Sequence, residues 1–233
     1  MRVTLPAQTR YIQINMRIHL QLTPNHEPVP FTYQQNLVGA FHKWLGKNLL
    51  HDATSLYSFS WLKGGTMEKG ALQFSKGATW FISTFQDEIA KKLLKGLLDD
   101  PHIAFGLKVR EVSIQDSPVF KESERFLVAS PVLVREKFTD GVKFIYHDSP
   151  IATQILTGSL KTKLRKGGLP DHGVEAEFDT TYPMATVKAS TYNGITNKGS
   201  LCPVIIRGTP EQVAFAWNVG VGHSTGIGFG ALM

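Results

Sequence analysis

Eight histidines and one cysteine are the side chains of this 233-residue chain best suited to proton transfer or nucleophilic chemistry. A histidine titrates near neutrality, so it acts as general base or general acid according to its setting. Two of the eight stand where a helix and its end would present them. His42 follows Leu37, Ala40 and Phe41 and precedes Trp44 and Leu45, a set spaced as one apolar stripe of a helix. At about 100° per residue it points roughly 140° from the centre of that stripe, out of the core. His51 comes nine residues later, beyond an interruption at Gly46 to Asn48. On one unbroken helix the two rings would point about 180° apart. A break lets the chain turn back so that both face one cleft. On residue type and spacing alone, an ordinary surface histidine is the better reading of each. Metal-assisted hydrolysis has less support: the sequence carries no H-E-x-x-H, no paired acidic motif and no cysteine cluster, and Asp52 alone does not make a two-metal centre. Cys202 reads as a small core residue beside Leu201 and Val204, and one cysteine excludes an intrachain disulfide. Tyr57 reads as a strand aromatic. His19 and His26 read as strand-face and loop residues, and His102, His147 and His172 have no motif around them.

Residues 220–230 read Gly-Val-Gly-His-Ser-Thr-Gly-Ile-Gly-Phe-Gly, with five glycines in eleven positions. Such a run is no helix. Its backbone reaches positive φ and can approach a ligand closely, and exposed N–H groups would form a nest for phosphate oxygens. A tight turn between strands is the equal alternative. A dinucleotide fingerprint does not fit, because the loop follows a helical segment and only three residues follow Gly230. His223, inside the loop, is a third histidine candidate. Lys161, Lys163, Arg165 and Lys166 place four cations in six positions without an acid. They suit phosphate contact, or else a solvated helix end that the helix dipole favours.

The formal charge of +6 and a pI near 9.4 favour a polyanionic partner without identifying it. After residue 180 the only acid is Glu211, against Lys188, Lys198 and Arg207. Hydrophobic residues make up 42% and charged residues 19% of the chain, enough for ordinary folded cores and unlike a disordered segment. No apolar run is long enough to cross a bilayer, no signal-peptide stretch is seen, and a cytoplasmic location is expected. Residues 1–15 precede a second methionine, Met16, and read as a short extension without assigned function.

The elements that must position these groups follow from periodicity. A strand is expected over 16–22 and a helix from Phe31 through the His42 stripe. Strands are expected over 57–62 and 71–83 around a Lys63-Gly64-Gly65 turn. Ile89, Leu93, Leu94, Leu97 and Leu98 make a second helix, with a cap expected at Ser83 and Thr84 and a stop at Asp99-Asp100-Pro101; a strand over 103–115 follows. Strand–helix–strand–strand–helix–strand is the split βαβ order of a ferredoxin-like domain. The second half repeats it loosely, with strand 126–135, helix 149–164, strands 184–190 and 201–207, and a helix opened by Thr209, Pro210 and Gln212 as a capping box. The expected fold class is α+β: tandem ferredoxin-like domains over 16–119 and 120–233, joined in the polar stretch 116–124. Lys188 and Lys198 flank a Tyr192-Asn193-Gly194 turn.

Gly220, Gly222, Gly228 and Gly230, with Val221 and Phe229 between them, follow a pattern of Gly-apolar-Gly, several residues, then Gly-apolar-Gly. This resembles the glycine-rich motif of the repeat-associated (RAMP) superfamily. Gly226 stands where many members carry serine, and no Lys or Arg lies inside the loop. Ala129-Ser130-Pro131 resembles the Ser-Pro motif of the superfamily. Leu50-His51-Asp52 is similar to a Leu-His-acid element, and Tyr57-Ser58-Phe59-Ser60 to the strand that follows the catalytic region. Together these cover nearly the whole chain, which resembles the CRISPR repeat-processing endoribonucleases, the Cas-six family.

The resemblance implies a metal-independent endoribonuclease without cofactor that cuts CRISPR repeat RNA in precursor transcripts to give guide RNAs. The implied step is attack by a 2′-hydroxyl, leaving a 2′,3′-cyclic phosphate and a 5′-hydroxyl. His42 matches the late helix position where members carry a catalytic tyrosine or histidine, and His51 matches the histidine of the second element. By the same resemblance His51 is the general base and His42 the acid at the 5′-oxygen. A lysine often follows the second histidine; here Thr54 and Ser55 stand there, with Lys47 and Lys63 as substitutes. Gly220, Gly222, Gly228, Gly230, Lys161, Lys163, Arg165 and Lys166 are the implied RNA-binding residues. Valine at Gly222 and Gly228 would then weaken RNA binding with the fold intact. Partners expected are repeat and guide RNA and other CRISPR effector subunits, with neither DNA nor membrane. A non-catalytic RAMP subunit holding guide RNA shares the fold and the loop. A ferredoxin-like module binding a small anion is the alternative from another class.

Overall fold

The computed structural model describes residues 16–47, 54–139 and 141–233. The first half runs β1 (Met16–Leu22), α1 (Gln34–Leu45), β2 (Tyr57–Phe59), a hairpin of β3 (Thr66–Glu68) and β4 (Ala71–Gln73), β5 (Thr79–Thr84), α2 (Asp87–Asp99) and β6 (Val109–Asp116). Its main sheet has the order β2-β5-β1-β6, and every pairing is antiparallel. The alternation expected of β1 buries Ile18, Leu20 and Leu22 on one face. The two helices meet each other, and the α1 stripe puts Leu37, Phe41 and Trp44 into a core with Phe59, Trp80 and Leu93.

The second half runs β7 (Ser123–Phe126), a hairpin of β8 (Val134–Phe138) and β9 (Gly141–Ile145), α3 (Ala152–Lys166), β10 (Glu175–Phe178), a hairpin of β11 (Thr186–Tyr192) and β12 (Ile195–Leu201), β13 (Val204–Arg207) and α4 (Pro210–Val219). Its sheet orders β10-β13-β7. Residues 231–233 lie beside β7's continuation as a fourth strand: Val128 bridges Leu232, Ala129 N–H donates to the Ala231 carbonyl at 2.8 Å, and Met233 N–H to that of Leu127 at 2.9 Å. Hairpins aside, both sheets therefore have the order second–third–first–fourth, the ferredoxin-like arrangement. Leu156, Leu160, Val204, Ile206 and Phe215 build a second apolar core. Cys202 is buried there, and burial pushes its thiol up to about 11.

Local chemistry explains both agreements and departures. The α4 capping box forms as expected, with Gln212 N–H donating to Thr209 Oγ1 at 3.3 Å and Thr209 N–H to Gln212 Oε1 at 2.9 Å. The cap expected for α2 does not, because Ser83 and Thr84 belong to β5, and Gln86 opens the helix. The expected strand 71–83 is split by a turn at Gly77. That over 103–115 begins only at Val109, after a turn with positive φ at Phe105 and Gly106. The expected strand 126–135 is divided between β7 and the β8 hairpin, and 184–190 is one arm of the β11–β12 hairpin. No helix among the described residues is long and apolar enough to cross a membrane.

Arg17 on β1 clamps the halves together. Its side chain is 3% exposed, and its guanidinium lies between the Phe81 ring, at 4.0 Å, and the Trp217 ring, at 3.5 Å. Nε donates to Ser83 Oγ at 2.6 Å, and Nη2 to the carbonyls of Trp217 and Leu232 at 3.1 and 2.9 Å.

Candidate functional site

The helix that buries Phe41 turns His42 out of the core. The ring is half-buried and meets Phe41 edge-on at 5.3 Å, and Phe41 stacks on Tyr57 at 4.4 Å. Beside it opens a cavity of about 180 Å³ lined by His42, Ser55, Tyr57, Tyr192, Ser224 and Gly226 among others. Both halves build it. His42, Ser55 and Tyr57 come from the first half, Tyr192 from the tip of the β11–β12 hairpin, and Ser224 and Gly226 from the glycine-rich segment. Tyr57 is 2% exposed, and burial pushes its hydroxyl up, so it stays a protonated donor at neutral pH, hydrogen-bonded to Ser55. A Cβ on Gly226 would lie 2.3 Å from Ser55 Oγ and 2.9 Å from the Tyr57 hydroxyl. The departure from serine at Gly226 thus lets two hydroxyls converge on the turn. Nothing in the local sequence marks Ser55, Tyr192, Ser224 and Gly226 as members of one site, and Tyr57 by itself reads as a packing aromatic.

His51 lies outside the described residues. Neither Lys47, which is exposed, nor Lys63 lines the His42 cavity; Lys63 Nζ reaches Met233 Sδ at 2.9 Å instead. His223 is held on the other side of the loop. Its N–H donates to the Leu133 carbonyl, and Nδ1 accepts the Arg135 N–H at 3.4 Å. Burial, then the charge of Arg135, lowers its pKa, leaving a neutral ring at pH 7. His19 pairs with Gln115 at 2.8 Å, and His102 with Asp100 at 2.8 Å.

Gly220, Gly222, Gly228 and Gly230 are buried, and all four have positive φ. The close approach they permit is to this chain itself. At Gly230 a Cβ would stand 1.9 Å from the Val221 carbonyl oxygen. The N–H groups of Gly220, Val221, His223, Ile227, Gly228, Gly230 and Ala231 all donate to protein acceptors. Those seven N–H groups are therefore used within the protein, and the half-buried positions of the loop are 223, 224 and 227. Valine at Gly222 would meet the Leu133 carbonyl oxygen, with a Cβ at 2.6 Å, so the fold itself would be disturbed.

The basic run on α3 is divided by the helix. Lys166 and Arg165 are exposed, Arg165 pairing with Asp171, and Lys161 is half-buried. Lys163, expected on the surface, is 4% exposed. It stands on the stripe of Leu156, Leu160 and Leu164, and Nζ donates to the carbonyls of Val219 and Gly220 at 3.2 and 3.1 Å and to Thr225 Oγ1 at 3.0 Å. Burial pushes its ammonium down from 10.5 to about 7. Between those values the unfolded chain binds a proton that the folded chain lacks, so this group adds stability as pH rises from about 7 towards 10.5; below about 7 both states are protonated. Urea unfolding at pH 7 and 9.5 should show wild type gaining stability relative to Lys163→Met. An equal gap at both pH values would contradict the lowered pKa.

A family model described as CRISPR associated protein Cas6, C-terminal, matches residues 115–233, just over half of the chain. The chain belongs to the Cas6 family. A Cas6 protein of Pyrococcus furiosus, named CRISPR-associated and endoribonuclease-like, is 25% identical over 92% of this chain and 97% of its own length. Among solved structures, a Cas6-related protein from Pyrococcus furiosus superposes with a TM-score of 0.83 at 21% identity, covering 94% of this chain and 98% of that one. A RAMP protein described as binding different RNA substrates gives 0.81 at 18% identity, over 93% and 98%. These likenesses show the tandem ferredoxin-like fold of Cas6 and RAMP proteins.

Proposed function

We propose that this chain is the metal-independent endoribonuclease of its family, cutting CRISPR repeat RNA at the His42 cavity. The observation that carries this reading is the junction itself. The half-buried ring of His42 faces a cavity walled by hydroxyls and closed by the glycine-rich turn of the other half. In-line attack by a 2′-hydroxyl needs a base at that hydroxyl, an acid at the departing 5′-oxygen and donors for charge on the phosphorane. His42 is assigned the acid and His51, four residues before Ser55, the base. The hydroxyls of Ser55, Tyr57 and Ser224 supply donors where relatives often carry a lysine. Arg165, Lys166, Lys188 and Lys198 are exposed and suit phosphate contact, so affinity should fall steeply with salt.

The test is incubation with repeat RNA in EDTA, with product ends read by mass spectrometry. A 2′,3′-cyclic phosphate and a 5′-hydroxyl are expected, and a repeat with 2′-deoxyribose at the cleavage position should bind yet stay whole. Binding without cutting of the all-ribose repeat would make the chain an RNA-holding RAMP subunit instead.

A further inference from the structure

We propose that Lys163 is the positioning residue of the His42 cavity, fixing from α3 the 225–227 turn that forms the wall contributed by the second half. This rests on the reading of that cavity as the cleavage site. A buried ammonium is costly unless its protons are used, and a carboxylate is the usual partner. Here the three acceptors are neutral: two carbonyls at the end of α4, and Thr225 Oγ1. In the protonated form three donors meet three acceptors. The carbonyl contacts cap α4, as a lysine commonly does at a helix C-terminus. The third has another consequence. Thr225 opens a single 3-10 turn flanked by left-handed residues, Ser224 at φ 59° and Gly228 at φ 91°. So short a turn holds its place only through outside anchors. Trp61 Nε1 donates to the Gly228 carbonyl at 2.8 Å, and Lys163 holds the other end. Between these anchors Gly226 lies against the hydroxyls of Ser55 and Tyr57 and, with Ser224, closes the cavity on His42. Lys163 itself does not line the cavity. Its charge is felt at His223, which also feels that of Arg135. Apolar residues at 156, 160 and 164 show that methionine suits the same stripe, so packing alone does not call for an ammonium at 163.

Displacements of about 1 Å around a reacting group cost up to about 10²-fold in rate. Lys163→Met and Thr225→Val are to be measured beside His42→Ala, in single-turnover cleavage and in binding of the 2′-deoxy repeat. Hydrogen exchange of residues 224–228 completes the set. Lys163→Met should cut roughly 10- to 100-fold more slowly while binding as wild type does, with faster exchange at 224–228. Thr225→Val keeps the two carbonyl contacts, and should show a smaller loss of the same kind even if Lys163→Met does not fold. Wild-type cutting by both variants, with His42→Ala inactive, overturns the positioning role and leaves the cleavage site standing. Wild-type cutting by His42→Ala overturns the site, and the proposal with it. Loss of RNA binding in step with rate would make Lys163 a general structural residue and also overturn it.

Discussion

Alanine at His42 should slow single-turnover cleavage of repeat RNA by on the order of 10²-fold or more, the scale of one lost general acid. The ring is half-buried at the rim of a cavity and stands outside the apolar stripe of α1, so its loss should leave the core of Leu37, Phe41 and Trp44 packed. Binding of an uncleavable repeat should change little, because phosphate neutralisation falls to the exposed lysines and arginines rather than to this one ring. His51→Ala should behave alike, with the opposite limb of the pH–rate profile affected if the two share acid and base roles. Wild-type rates for both variants in EDTA would remove the acid–base assignment. His223 would not inherit it simply, since its Nδ1 already accepts the Arg135 N–H.

Alanine at Gly230 should be among the most destabilising single changes in the chain. The residue has φ 66°, where a side chain costs about 1–2 kcal/mol, and overpacking adds about 1–3 kcal/mol more. The new methyl would stand 1.9 Å from the Val221 carbonyl oxygen, a backbone atom that cannot rotate aside. Together that is about 2–5 kcal/mol, a large share of the roughly 5–15 kcal/mol that holds a domain folded. Gly168→Ala is the internal control. It has φ 75° but nothing within 4 Å of a Cβ, so only the conformational cost of about 1–2 kcal/mol is expected. Urea midpoints at unchanged slope measure both. Equal losses at the two positions would mean that the contact with Val221 carries no energy.

The elements with strong periodicity were legible. The α1 stripe, the α2 leucines and the Thr209–Gln212 cap each state their structure within a few residues, because each is a local contest between side chain and backbone. The hairpins were not. The β3–β4 pair is short and exposed or half-exposed, and the tip of β8–β9 is exposed, so neither carries a two-residue alternation. Within the candidate site, His42 was found from its angle to the stripe. Tyr192, Ser224 and Gly226 were missed because residues more than 130 apart meet there, and nothing in their own neighbourhoods announces it. Lys163 was misread for the reverse reason. It was counted with its charged neighbours, although its spacing of three from Leu160 and seven from Leu156 puts it on the buried face.

The last strand of the second sheet is supplied by residues 231–233, which pair with 127–129 about a hundred positions earlier. Contacts of such separation form late, because loop closure must be achieved before they contribute. The first sheet closes within residues 16–116, but Arg17 on its central strand finds two of its acceptors only at Trp217 and Leu232. Until the distal strand docks, that sheet carries a guanidinium whose hydrogen bonds are incomplete. Folding order and domain coupling therefore meet at one side chain. Arg17→Met should speed unfolding of the second half more than it slows folding of the first.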